Sequence, residues 1–300
     1  MDVSLESLGR SKNEEFRVTR KNAKEIWDRI CDSDWSKEAE KFYADRNIEK
    51  TELLNQGKAN FDELIGHDGE KPWFRAAYYA GSGGYMDMHI RQNRTVFMKQ
   101  RIIRYLKNKR TLFVDFGCGP MTSGVVLAEM LSVPMADYKD KVLYVGIDVA
   151  KNMCKVASLI NEIEEESRIF DRFVVLKEDT LIPQEVSRIA SENFQPEVAV
   201  LCLSYVLAPG TYSNDQLAAA DLAKEWQQII QKLPDCQETL VIYMNPKFTS
   251  PHSNWNFMVG EFKNHPLKDW HFETGALKSM PVDGLPKRVD TQTITGKRRK

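Results

Sequence analysis

From residue 111 onward, apolar runs and amphipathic stretches alternate along the chain. Nearly unbroken apolar runs occupy 112–116, 142–147 (VLYVGI), 173–176 (FVVL), 198–203 (VAVLCL) and 239–244 (TLVIYM). Between them, segments near 122–133, 150–164, 183–193 and 215–233 repeat apolar residues at helical spacing. A strand that is apolar at every position is buried on both faces. Such strands alternating with helices predict a parallel sheet covered on both sides. A further helix is expected near 255–264, and two late strands near 269–274 and 289–295. Ahead of 111 the pattern is helical instead. Ala23, Ile26, Trp27 and Ile30 share one face, Trp35, Ala39 and Phe42 suggest a second short helix, and Val96, Met98, Ile102, Ile103 and Leu106 mark a third. The pattern divides the chain into a helical N-terminal cap (1–110), an α/β core (111–296) and a basic tail (297–300) expected to be disordered.

Composition narrows the classes. A chain of 300 residues with 42% hydrophobic content can build a sizeable core. A net charge of −1 argues against a protein built wholly around a phosphate backbone, though not against a local basic patch. The five cysteines (31, 118, 154, 202, 236) form no C-x-x-C pair, which suggests free thiols in a reducing compartment and no zinc site. The polar, acid-containing start MDVSLESLGRSKNEE resembles no targeting peptide, and no apolar run approaches the ~20 residues of a membrane span, so a cytoplasmic protein is expected.

The chemistry concentrates where the first strand ends, at TLFVDFGCGPMTSG (111–124). The run Leu112–Val114 leads into Asp115, then into glycines at 117, 119 and 124, then into a helix. Glycine there lets the backbone approach a ligand or take a positive φ. A dinucleotide fingerprint wants G-x-G-x-x-G, but the third position of that pattern is Thr122. A carboxylate just ahead of the turn is also awkward beside a pyrophosphate and better suited to an amine-bearing ligand. Cys118 within the turn has no nearby histidine in sequence to activate it and reads as a turn-filling residue.

VDFGCGPMTSG resembles the D/E-x-G-x-G motif of the class I S-adenosylmethionine (SAM) dependent methyltransferases. Three further stretches fall in the order that this resemblance implies. In YVGIDVAKNM (144–153), Asp148 ends the second strand, where a carboxylate can accept both hydroxyls of a ribose. Val149 and Met153 follow it, Met153 as the residue the resemblance places on the adenine. After the third strand, Asp179 and Thr180 stand where the family takes the adenine amino group. At the end of LCLSYVLAP (201–209), Ser204 and Tyr205 stand where the fourth strand meets the transferring methyl. No NPPY or DPPY tetrapeptide is present; NPKF (245–248) follows the fifth strand and reads as a turn. The resemblance implies a mostly parallel, seven-stranded Rossmann-like sheet with helices on both faces. It further implies SAM as cofactor, S-adenosylhomocysteine (SAH) as product, and Asp115, Gly117, Cys118 and Gly119 at the methionine end.

Tyr205, His89 and Tyr85 are the candidates to orient or deprotonate a methyl acceptor. The aromatics Trp73, Phe74, Tyr78, Tyr79 and Tyr85, beside the GSGG of 81–84, suit either a hinged lid or a hydrophobic seam. A small-molecule acceptor is the leading expectation. The alternatives are RNA held by the basic stretch 91–110, a non-catalytic SAM-binding partner protein, and an NAD-linked oxidoreductase. No metal is expected.

Overall fold

The computed structural model describes residues 84–132, 135, 137–148, 151–162, 168–178, 180–207, 216–246, 253–282 and 288–299. The two proposed helices before residue 43, the aromatics of 73–79 and the glycines of 81–83 lie outside the described residues, as do Val149 and Asp179.

Five parallel strands form the centre: β1 (Thr111–Phe116), β2 (Val142–Asp148), β3 (Arg172–Lys177), β4 (Val198–Ser204) and β5 (Glu238–Pro246). Three more close the sheet: β6 (Trp270–Thr274), β7 (Lys278–Pro281) and β8 (Arg288–Arg298). The order is β3-β2-β1-β4-β5-β8-β6, with β7 also pairing β8. β8 runs antiparallel to β5, and β6 and β7 pair successive halves of β8 along one edge. Eight strands therefore fill seven positions, as the expected seven-stranded Rossmann-like sheet requires. β1 lies between β2 and β4, so the chain reverses its direction of winding there, and the crevice at such a reversal is where open α/β sheets bind ligands.

The helices are α1 (Gly84–Lys99), α2 (Ile102–Leu106), α3 (Thr122–Ser132), α4 (Tyr138–Lys141), α5 (Lys151–Asn161), α6 (Pro183–Asn193), α7 (Gln216–Gln231) and α8 (Ser253–Asn264). Alternation along β1 decides which covers which face. Phe113 packs with Val96, Phe97, Ile102 and Leu106 of α1–α2 and with Val126, Leu127 and Leu131 of α3. Leu112, Val114 and Phe116 pack on the other face with Val186 of α6, Trp226 of α7 and Met258 of α8. Residues 84–110, expected in the cap, thus supply two helices of one core layer.

Two further expectations are corrected. The helix expected to run unbroken through Leu106 stops at Lys99, and Arg101 takes a left-handed φ of 57° before α2 restarts. Residues 297–299 of the expected tail are paired rather than disordered. Lys297 and Arg298 extend β8, and the Arg298 guanidinium lies 5.3 Å over the Trp270 ring and donates to the Pro234 carbonyl at 2.6 Å.

Candidate functional site

The turn after β1 is built by its own amides. Gly117 and Cys118 both donate to the Ile147 carbonyl (2.8 and 3.0 Å), and Met121 donates to the Cys118 carbonyl (2.9 Å). The Gly119 amide donates to Oδ2 of Asp148 at 2.9 Å, and residue 120 is a proline with no N–H. From 117 to 121 every backbone donor is therefore committed. Of these bonds, only that of Gly119 goes to a side chain and can be exchanged without taking the turn apart.

Each glycine answers a different constraint. Gly117 has a φ of +70°, and a Cβ there would lie 2.3 Å from Cγ2 of Val206, in the loop after β4. Gly119 has a φ of +51°, but a Cβ there would meet nothing within 4 Å among the described residues, which leave this part of the turn open. Gly124 packs α3 onto β2, since its Cβ would lie 2.7 Å from the Tyr144 ring. The late third glycine serves helix–sheet packing.

Asp115 is fully buried, with Oδ2 accepting the Tyr144 hydroxyl at 2.8 Å and the Ser123 hydroxyl also near its carboxylate. Loss of water raises its pKa to about 7; the Tyr144 and Ser123 hydroxyls pull the other way, and the negative Asp148 nearby adds to the rise. The Asp115 carboxylate is thus engaged within the protein, through Tyr144, rather than exposed at the surface of the turn. Burial, with Asp148 and Asp115 close by, also pushes the Cys118 thiol well above its ordinary value, the reverse of an activated nucleophile.

At the neighbouring strand ends, Asp148 is half-buried and Thr180 exposed. α5 begins just past Asp148, and the side chain of Met153 lies outside the described residues. Ser204 closes β4 with its Oγ buried and, among the described residues, without a partner. Asn245 and Pro246, expected in a turn, instead finish β5.

Tyr205 takes a φ of 69°, rare for a bulky side chain. Its amide donates to the Met244 carbonyl at 2.9 Å, and its hydroxyl donates to Oε1 of Gln92 on α1. The His89 ring meets it edge-on, with centroids 4.5 Å apart and planes at 83°. Of the three acceptor-side candidates, His89 and Tyr205 are thus brought together, while the side chain of Tyr85, on the first turn of α1, lies outside the described residues.

No protein-family model matches the chain, and no curated protein matches it significantly. Among solved structures, the chain is similar to a SAM-dependent methyltransferase from Aquifex aeolicus, at 13% identity over 67% of this chain and 90% of that one, with a TM-score of 0.39. A magnesium protoporphyrin IX methyltransferase from Synechocystis with bound SAM is 11% identical over 80% and 96%, with a TM-score of 0.42. A cyclopropane-fatty-acyl-phospholipid synthase-like protein from Lactobacillus casei is 12% identical over 79% and 98%, with a TM-score of 0.43. At these values the chemistry has to be read from this chain's own residues.

Two residues of the site were not foreseen. Gln92 and Asn93 are buried on α1, and Asn93 accepts a hydrogen bond from Ser123 at the start of α3 (3.2 Å) while donating to the His89 carbonyl (2.9 Å). The basic stretch 91–110 ends away from this site. Lys109 pairs with Glu238 (2.9 Å), and the Arg110 amide donates to Glu197 (3.0 Å), both where strands begin rather than where they end. Arg94 pairs with Glu129 on α3. Among the described residues no group of His, Cys, Asp and Glu is arranged to hold a metal, and no helix is long and apolar enough to cross a membrane.

Proposed function

We propose that this chain is a SAM-dependent methyltransferase. The observation that carries this is the turn's spent backbone. A diphosphate is held by a row of free N–H groups at a glycine turn, and residues 117–121 offer no such row: the Gly119 amide, held by a side chain, is the one that can be exchanged. They offer instead an open glycine face beside a half-buried carboxylate at a winding reversal, which suits an uncharged ribose. In this reading Asp148 accepts the ribose hydroxyls in exchange for the Gly119 amide, and Asp179 takes the adenine amino group. Val149, Met153 and Thr180 line the base, and Ser204 faces the methionine end with its unpartnered hydroxyl. Asp115 holds the turn from below through Tyr144.

When bound, the cofactor supplies an electrophilic methyl on a good leaving group. The chain's own task is to hold the acceptor in line with it, and positioning of this kind can contribute about 7–11 kcal/mol. In this reading Tyr205 and His89 take up that task, supported by their edge-on contact. A small-molecule acceptor is favoured over RNA, because Lys109 and Arg110 are tied to acids at the end of the sheet away from the turn.

Incubation of the protein and cell extract with methyl-labelled SAM, followed by fractionation, tests the proposal. Label in a low-molecular-weight fraction is expected. Label confined to RNA would overturn the acceptor class, and binding of SAH with no label transferred would make the chain a SAM-binding partner instead.

A further inference from the structure

The stretch 91–110 carries eight lysines and arginines and no acid. Three of them are engaged within the fold: Arg94 with Glu129, Lys109 with Glu238 and Arg110 with Glu197. Lys99, Arg101, Arg104 and Lys107 are different. All four are exposed, and no acid of the described residues is paired with any of them. The surface of α6 shows the ordinary arrangement, with Arg188 held between Glu185 and Glu192 at 2.7 and 2.9 Å.

The four form a row. Ile102 and Leu106 turn one side of α2 into the core, which leaves Arg101, Arg104 and Lys107 on the other at intervals of three residues. Side chains so spaced are neighbours, roughly 5–6 Å apart, and like charges there weaken a helix. Lys99, at the end of α1, lengthens the row. Arg101 also takes a left-handed φ of 57°, a conformation that glycine adopts without cost. The fold would be better served by glycine at 101 and by an acid within the row. The charges therefore answer to something outside the fold.

The shape of the row says what that is. It is one side chain wide and linear, as is a nucleic-acid strand with one negative charge per nucleotide. Met98, 52% exposed, is the one large apolar side chain exposed among residues 91–110. One such residue is too little for insertion into a lipid interface or for the apolar centre of a protein interface. α1 also separates the row from the candidate site. His89 meets Tyr205 past the end of β4, and Lys99 lies ten residues further along α1, about 15 Å away. A strand held on the row is thus a docking partner rather than the methyl acceptor.

We propose that Lys99, Arg101, Arg104 and Lys107 form a docking site for the phosphodiester backbone of a nucleic acid, remote from the site of methyl transfer. The contact is electrostatic and independent of base sequence.

The test uses the full chain and fluorescein-labelled 20-mers of uridylate and of thymidylate, titrated by anisotropy across a salt series. Saturable binding is expected, with log K falling against log salt at a slope of about −3, or roughly −0.7 per phosphate contacted. Binding to either oligomer supports the proposal, and the tighter one identifies the backbone as RNA or DNA. Arg104→Gln should make the slope shallower by about 0.7, and changing all four residues to Gln should weaken binding at least about tenfold in low salt. Arg101→Gly should also weaken binding, yet lose no stability in urea melts, which a merely structural arginine would not do. Lys224→Gln, on α7, should leave binding unchanged. The four-site variant should keep the SAH affinity of the wild type. No saturable binding to either oligomer, a salt slope unchanged in the four-site variant, or binding to phosphatidylserine vesicles alone would overturn the proposal. The oligomer titrations contain no cofactor, so their failure leaves the methyltransferase reading standing, and a wild type that binds an oligomer but not SAH overturns that reading alone.

Discussion

The amide of Gly119 and the carboxylate of Asp148 meet at 2.9 Å across the mouth of the sheet, joining the turn after β1 to the end of β2. In the function proposed above the same carboxylate accepts both ribose hydroxyls, so ligand binding would trade one donor for two. Charge-assisted hydrogen bonds of this kind are worth about 1.5–3 kcal/mol. Asp148→Ala should therefore weaken SAH binding about 10- to 100-fold by calorimetry. Asp148→Asn, which keeps one acceptor oxygen, should lose less.

Gly117 and Gly119 predict opposite phenotypes for the same substitution. Gly117→Ala adds a methyl 2.3 Å from Val206 at a left-handed φ, and should lower stability by about 1–3 kcal/mol. Adding Val206→Ala should recover part of that loss. Gly119→Ala meets no atom of the described residues, so its expected stability cost is that of the backbone, about 1–2 kcal/mol. Its methyl projects into the open space beside the turn, and SAH affinity should fall. Chemical melts alongside calorimetry separate the two effects.

Asp115 gives the protein a pH signature. Its pKa is raised to about 7 in the fold by burial, against about 3.9 in an unfolded chain. Between those values the folded state holds a proton that the unfolded state has released, so stability falls as pH rises. The contribution is fully present below about pH 4 and is lost through about pH 7, with a slope of at most about 1.4 kcal/mol per pH unit. Urea melts of Asp115→Asn across this window should show the dependence flattened.

The central strands were legible because burial on both faces leaves an unbroken apolar run, as in Thr111–Phe116 and Val198–Ser204. β7 was not: it is four residues long and buries Met280 alone, too little to leave a pattern. The break at Arg101 has no glycine or proline to announce it. Around the candidate site, that Asp148 ends β2 and that glycines fill the turn after β1 was legible from spacing. The side to which Asp115 points was not, because strand alternation places it on the α1–α3 face and only the three-dimensional contact with Tyr144 shows it buried there. Gln92 and Asn93 read as a polar helix surface, since nothing local reveals that α1 is covered nearly all round. Pro120 was in plain view, but that only the Gly119 amide of this turn is exchangeable follows only once Ile147 and Asp148 are seen taking the others.

The claim on which the account depends is that this turn receives a nucleoside without a diphosphate. Isothermal titration of the full chain with SAH and, separately, with NAD measures it directly. Saturable SAH binding that weakens in Asp148→Ala, with no heat from NAD, is the predicted result. Saturable NAD binding with none from SAH would contradict it.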